Sequence, residues 1–152
     1  MMTMHNALEI AIQECNSNVV EMQGAAHNPR ILAYFEATSL KATTDEVPWC
    51  AAFVNWCLRE AGLEGTGSAQ ARSFLKWGFT IPVEKIEPGD VVVFSRGNRP
   101  LSGTLQQGHV AFFLEWTSER NRCMNIIGGN QSDRVSVATY SMQRLLSVRR
   151  LL

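Results

Sequence analysis

PWCAAFVNWCLREAG, residues 48–62, sets the first half of the fold. Cys50, Phe53, Val54, Cys57, Leu58 and Ala61 recur at spacings of three and four, the period of an amphipathic helix, and Gly62 stops the run. Its counterpart in the second half is PGDVVVFSRG, residues 88–97. There the turn signal Glu87-Pro88-Gly89-Asp90 leads into the β-branched run Val91–Phe94, which reads as a strand. Helical periodicity thus gives way to strand patterning from Pro82 onward, and helices followed by an antiparallel sheet make an α+β domain.

Working outward, Ala7, Leu8, Ala11, Ile12 and Cys15 predict a helix over residues 4–15 with one buried stripe. Asn28 followed by Pro29 supplies a cap and a favoured first helical residue, so a second helix is expected over 29–38. Gly65 to Ser68 form a loop and cap for a further helix near 69–77, ended by Gly78. In the second half, His109–Trp116, Cys123–Ile127 and Val135–Tyr140 read as strands, and Ser147–Leu152 as an edge strand after a turn of helix. No internal repeat or linker divides the chain, so one domain over residues 1–152 is expected.

Composition excludes several classes. A hydrophobic share of 45% against 18% charged residues is enough to bury a core and argues against disorder. Fourteen basic residues balance fourteen acidic ones, so there is no global pull toward nucleic acid or anionic lipid. No apolar run is long enough to span a bilayer, so no membrane insertion is expected. The start MMTMHNALEIAIQECNSN lacks the basic and apolar regions of a Sec signal, which points to synthesis in the cytoplasm. Cys15, Cys50, Cys57 and Cys123 form no CxxC pair and read as reduced thiols.

Cys50 stands at the start of the strongest helix, where free N–H groups and the dipole favour a thiolate, and its own N–H can donate to an oxyanion. A buried core thiol is the plain alternative, and it is the reading for Cys57, Cys15 and Cys123. A thiolate needs a proton acceptor, and the chain offers His5, His27 and His109. His109 opens the strand HVAFFLEW after Gly108, which would hold its ring at the rim of the sheet. Asn130, just past Gly128-Gly129, is the candidate to orient the imidazole, with Gln131 as its neighbouring alternative and an ordinary turn as the plain one. Asp45 and Glu46 are candidates to bind a substrate amine, or solvated loop acids. Trp49, Trp56, Trp77 and Trp116 line a cleft or fill the core. No HxxxH, CxxC, EF-hand or phosphate-loop pattern occurs, so neither a metal nor a nucleotide cofactor is expected.

Cysteine at a helix start, histidine at a strand start and a polar residue at the end of the next strand is an order that resembles the papain-like hydrolases of the NlpC/P60 and CHAP kind. The segments that carry the resemblance are PWCAAFVNWCLREAG (48–62), GTGSAQARSFLKWG (65–78), PGDVVVFSRG (88–97), GHVAFF (108–113) and GGNQS (128–132), with EMQGAAHNPRILAYFEAT upstream. The resemblance implies a papain-like fold, N-terminal helices packed on an antiparallel sheet, and a cysteine peptidase or amidase acting on peptidoglycan. It carries the nucleophile onto Cys50, the base onto His109 and the polar third member onto Asn130. Trp49 departs from the Asp that commonly precedes the nucleophile in NlpC/P60 enzymes. The expected role is a phage lysin or an antibacterial effector with an immunity protein as partner, and the expected state is a monomer. A silent wall-binding or virion module, and a cysteine peptidase or deamidase acting on a protein, are the alternatives.

Overall fold

The computed structural model describes residues 3–22, 27–40, 48–95, 108–118 and 122–151. Helix α1 spans Met4–Asn16 and opens on a reciprocal cap in which Thr3 Oγ1 accepts from the Asn6 N–H while Asn6 Oδ1 accepts from the Thr3 N–H. Helix α2 spans Pro29–Tyr34, with Asn28 accepting from the Arg30 N–H at 2.8 Å. It is shorter than the expected 29–38, because the chain tightens into a 3-10 turn over Phe35–Ala37 that Thr38 closes by donating its N–H to the Phe35 carbonyl. Helix α3 spans Cys50–Glu60 and ends where Gly62, at φ 77°, lets the Leu63 N–H reach back to the Leu58 carbonyl.

Helix α3 is not the one-sided amphipathic helix its spacing suggests. Every residue from Cys50 to Leu58 is buried, Asn55 included. That amide is tolerated inside because it donates to the Ala51 and Ser68 carbonyls and to Thr66 Oγ1, and accepts from the Gly67 N–H. The same bonds lash the loop 65–68 to the helix. The helix expected near 69–77 is a 3-10 segment, Ala71–Lys76.

Among the described residues six strands follow: β1 (Phe79–Thr80), β2 (Val91–Phe94), β3 (His109–Trp116), β4 (Cys123–Gln131), β5 (Arg134–Ser141) and β6 (Leu145–Arg150). They form one antiparallel sheet in the order β1-β6-β2-β3-β4-β5. β6 is therefore an inner strand and not the expected edge, since the two-residue β1 pairs with its far side. β4 runs on to Gln131, beyond the expected end at Ile127.

One face of the sheet, with Val91, Val93, Val110, Phe112 and Ile127, packs under α1, α2 and α3. The other, with Val92, Phe94, Ala111, Phe113, Ile126 and Val148, is covered by Ile81, Val83, Ile86, Tyr140 and Leu145. β2 is thus buried on both faces, which is why it reads as an unbroken Val-Val-Val-Phe run instead of an alternating one. Each such side chain contributes about 1.5–3 kcal/mol by leaving water.

Candidate active site

Cys50 is the first residue of α3 and is 3% exposed. Among the described residues no side chain caps the helix at Trp49, so the dipole's positive end and the first-turn N–H groups lie at the thiol. The sequence delivers this geometry through Trp49. Its indole is fully buried, its Nε1–H donates to Glu21 Oε1 at 2.7 Å, and its carbonyl accepts from the Phe53 N–H. Trp49, a candidate substrate contact, accordingly has no surface to offer a ligand; its size and single N–H donor suit it to anchor the helix start instead.

His109 is the first residue of β3 and is also 3% exposed. Its Nε2 lies 2.8 Å from Gln131 Oε1. The other end of that amide, Nε2 of Gln131, donates to the Ser136 carbonyl at 2.6 Å, and Ser136 Oγ donates back to the Gln131 carbonyl. A backbone carbonyl can only accept, so the NH₂ must face Ser136 and the amide oxygen must face the ring. His109 therefore carries its proton on Nε2, and in the neutral ring the lone pair sits on Nδ1.

The hydrogen bond to the imidazole thus comes from Gln131, the neighbouring alternative, and not from Asn130, the first candidate. The reason is a bulge. Gly128 pairs with Ser136 but Gln131 pairs with Arg134, so β4 holds one residue more than β5 across this stretch. Asn130 takes up the extra residue at φ 58°. In a regular strand Gln131 would face away from Gly128, yet its Oε1 is so close that a Cβ built on Gly128 would lie 2.9 Å from it. Past Gln131 the hairpin turns through Ser132 and Asp133, both left-handed, which is the two-residue turn that suits antiparallel strands.

Gly129 joins the two halves. A Cβ there would fall 2.6 Å from Trp49 Cε3 and Cζ3 and 2.8 Å from Phe53 Cβ, so the start of α3 rests directly on the β4 backbone. Two residues further along the same strand, Gln131 holds His109. A thiol at a helix end and an imidazole of fixed tautomer thus belong to one end of the sheet.

Residues 42–130, more than half of the chain, match the CHAP domain. The chain belongs to the CHAP domain family. Solved structures agree on the fold. The P60 domain of an M. avium paratuberculosis antigen matches at TM-score 0.56 and 12% identity, over 98% of this chain and 96% of that one. RipB of Mycobacterium tuberculosis, described as a peptidoglycan hydrolase, matches at 0.58 and 16%, over 98% of this chain and 66% of that one. RipD of the same organism, described as a non-catalytic NlpC/p60 domain protein adapted to peptidoglycan binding, matches at 0.57 and 13%, over 96% and 98%. The chain is thus a CHAP domain with the papain-like NlpC/P60 fold. Curated protein sequences give no match.

In this CHAP domain Cys57 sits fully buried two turns along α3, where loss of solvent and then the charges of Glu14 and Glu60 push its thiol well above the ordinary range. It is a core thiol. Asp45 and Glu46 lie outside the described residues. Among the described residues no three His, Cys, Asp or Glu side chains cluster as metal ligands, and no helix is long and apolar enough to cross a membrane. Two contributors have no place in the sequence motifs: Ser136 on Gln131, and Tyr140, whose ring stacks on His109 with centroids 5.1 Å apart; Glu21, which holds Trp49, opens the upstream segment EMQGAAHNPRILAYFEAT, which says nothing of that bond. Only Tyr140 leaves a local signal, as an aromatic at an inward position of a strand.

Proposed function

We propose that this CHAP domain is a cysteine peptidase or amidase that hydrolyses an amide bond in the stem peptide of peptidoglycan. The observation that carries the reading is the chain Ser136–Gln131–His109, which leaves the Nδ1 lone pair as the base. Nδ1 takes the Cys50 proton, and the thiolate attacks the substrate carbonyl carbon. The oxyanion forms beside the Cys50 backbone N–H at the start of α3. Nδ1–H then protonates the departing amine, and a thioester to Cys50 remains. Water, deprotonated by Nδ1, adds to the thioester; the tetrahedral adduct expels the thiolate and frees the carboxylic acid. Gln131 Oε1 accepts the hydrogen bond from Nε2–H throughout and stabilises the ring most when it is an imidazolium.

RipB, a peptidoglycan hydrolase, and RipD, a non-catalytic domain adapted to peptidoglycan binding, suggest two readings of a wall-directed domain, hydrolysis and binding alone. Cys50 at a helix start, together with His109 in a locked tautomer, supports hydrolysis, because wall binding needs neither. Incubating purified protein and its Cys50→Ala variant with isolated Gram-negative sacculi decides between them. Soluble muropeptides from wild type alone are expected, and their masses name the bond. Equal release from Cys50→Ala would sink the scheme, and binding without release would leave the module reading. We place the activity at the cell wall, in a phage lysin or an antibacterial effector; a neighbouring holin gene marks the first and an immunity gene the second.

A further inference from the structure

We infer that Tyr140 is a positioning residue that holds the plane of the His109 imidazole, an inference that rests on His109 acting as the base. A hydrogen bond to Nε2 fixes one atom of the ring but does not by itself set the tilt of its plane. The face of Tyr140 lies against that plane. The two rings stack at 27° between planes with 5.1 Å between centroids, within the range of favourable offset stacking.

Tyr140 is itself held from two further directions. Phe94, the β2 partner of His109 in the sheet, packs on it at 4.8 Å and 58°. The Arg144 guanidinium carbon lies 4.4 Å from its centroid. Arg144 is pinned in turn, since its Nε–H donates to the Ser95 carbonyl and its own carbonyl accepts from the Ser95 N–H. These contacts all act on the Tyr140 ring and none on its hydroxyl, so the ring is the working part.

The stack favours the imidazolium as well as the orientation. A π-face attracts a cation placed over it, so the contact strengthens when His109 takes the Cys50 proton. Gln131 and Tyr140 act on different degrees of freedom. Gln131 selects which nitrogen bears the proton, and Tyr140 sets the direction in which the opposite nitrogen points.

The experiment compares wild type with Tyr140→Phe and Tyr140→Leu. It follows the rate of Cys50 alkylation by iodoacetamide, located by peptide mass mapping, kcat and KM for muropeptide release, and ¹⁵N shifts of the His109 ring. Tyr140→Phe is expected to match wild type. Tyr140→Leu is expected to slow Cys50 alkylation and kcat about tenfold at unchanged KM, while the His109 ¹⁵N shifts stay at one tautomer because Gln131 still accepts from Nε2–H. A folded Tyr140→Leu protein with wild-type alkylation and kcat overturns the inference. A check on wild type alone guards against a variant that fails to fold. The His109 ring protons should show an upfield ring-current displacement, and its absence also overturns the inference. Ring-current and tautomer signals with no muropeptide release from wild type would uphold the stack and remove the hydrolase reading instead.

Discussion

Gln131 Oε1 stands 2.8 Å from His109 Nε2 because its own NH₂ is occupied by the Ser136 carbonyl. Replacing it by Leu removes the acceptor from a buried ring N–H and frees the tautomer. Muropeptide release by Gln131→Leu should fall about 10–100-fold, on the scale of a lost charge-assisted hydrogen bond of about 1.5–3 kcal/mol. A wild-type kcat would show that the bond orients nothing.

Asn130 separates conformation from chemistry. At φ 58° it needs a residue that accepts the left-handed region. Asn130→Gly should keep activity and stability, whereas Asn130→Ala should lose about 1 kcal/mol in urea unfolding with kcat preserved in the folded fraction. A collapse of kcat in Asn130→Gly would return the orienting role to this side chain.

Gly129→Ala tests the joint between helix and sheet. The added methyl meets the Trp49 ring and Phe53, and neither backbone nor buried indole can retreat easily. A loss of about 1–3 kcal/mol in denaturant unfolding is expected, together with slower Cys50 alkylation as the helix start shifts. Unaltered stability and alkylation would mean that the contact is slack.

Glu21→Leu leaves the buried Trp49 indole N–H without its acceptor and should destabilise the protein by about 1–3 kcal/mol. Glu21→Gln keeps an amide oxygen in place and should recover most of that loss. Thermal melts of the two variants side by side provide the comparison, and equal melting temperatures would discount the bond.

Alkaline pH should weaken the fold through Tyr34 and Cys57. Burial, then the hydrogen bond to Glu14, pushes the Tyr34 hydroxyl far above its usual range, and burial does the same to the Cys57 thiol. Both groups keep their protons in the folded chain but lose them in the unfolded one above about pH 8.5 for the thiol and about pH 10 for the phenol. The unfolded state then binds fewer protons, so stability is full below about pH 8.5 and falls as the pH rises beyond it. Urea midpoints at pH 7 and pH 10 measure this, and Cys57→Ala should flatten the earlier part of the decline.

The features legible in the sequence are the ones written in local patterns. The spacing of Cys50, Phe53, Val54 and Cys57 marks α3, and the Val91–Phe94 run marks a strand, which the structure buries on both faces. The position of His109 at a strand start is legible for the same reason. Non-local features are hidden. β1 is two residues long and exists because β6 pairs with it, which also turns β6 into an inner strand. The exchange of Asn130 for Gln131 depends on a register between β4 and β5 that Gly128-Gly129-Asn130 cannot reveal alone, since the same residues serve equally well as a turn. Glu21 reaches Trp49 across 28 positions of sequence, beyond any periodicity.

The segment Val19–Glu21 bonds through its backbone to Asp133 and Val135, on the hairpin that carries Gln131, while the Glu21 side chain grips Trp49. The span that matches the CHAP domain, residues 42–130, stops one residue before Gln131 and omits Glu21, Ser136 and Tyr140. Anyone grafting this domain into a chimeric protein should therefore cut outside residues 3–151. A shorter graft would transplant Cys50 and His109 while leaving behind the side chains that bond Trp49 and pack on the His109 ring.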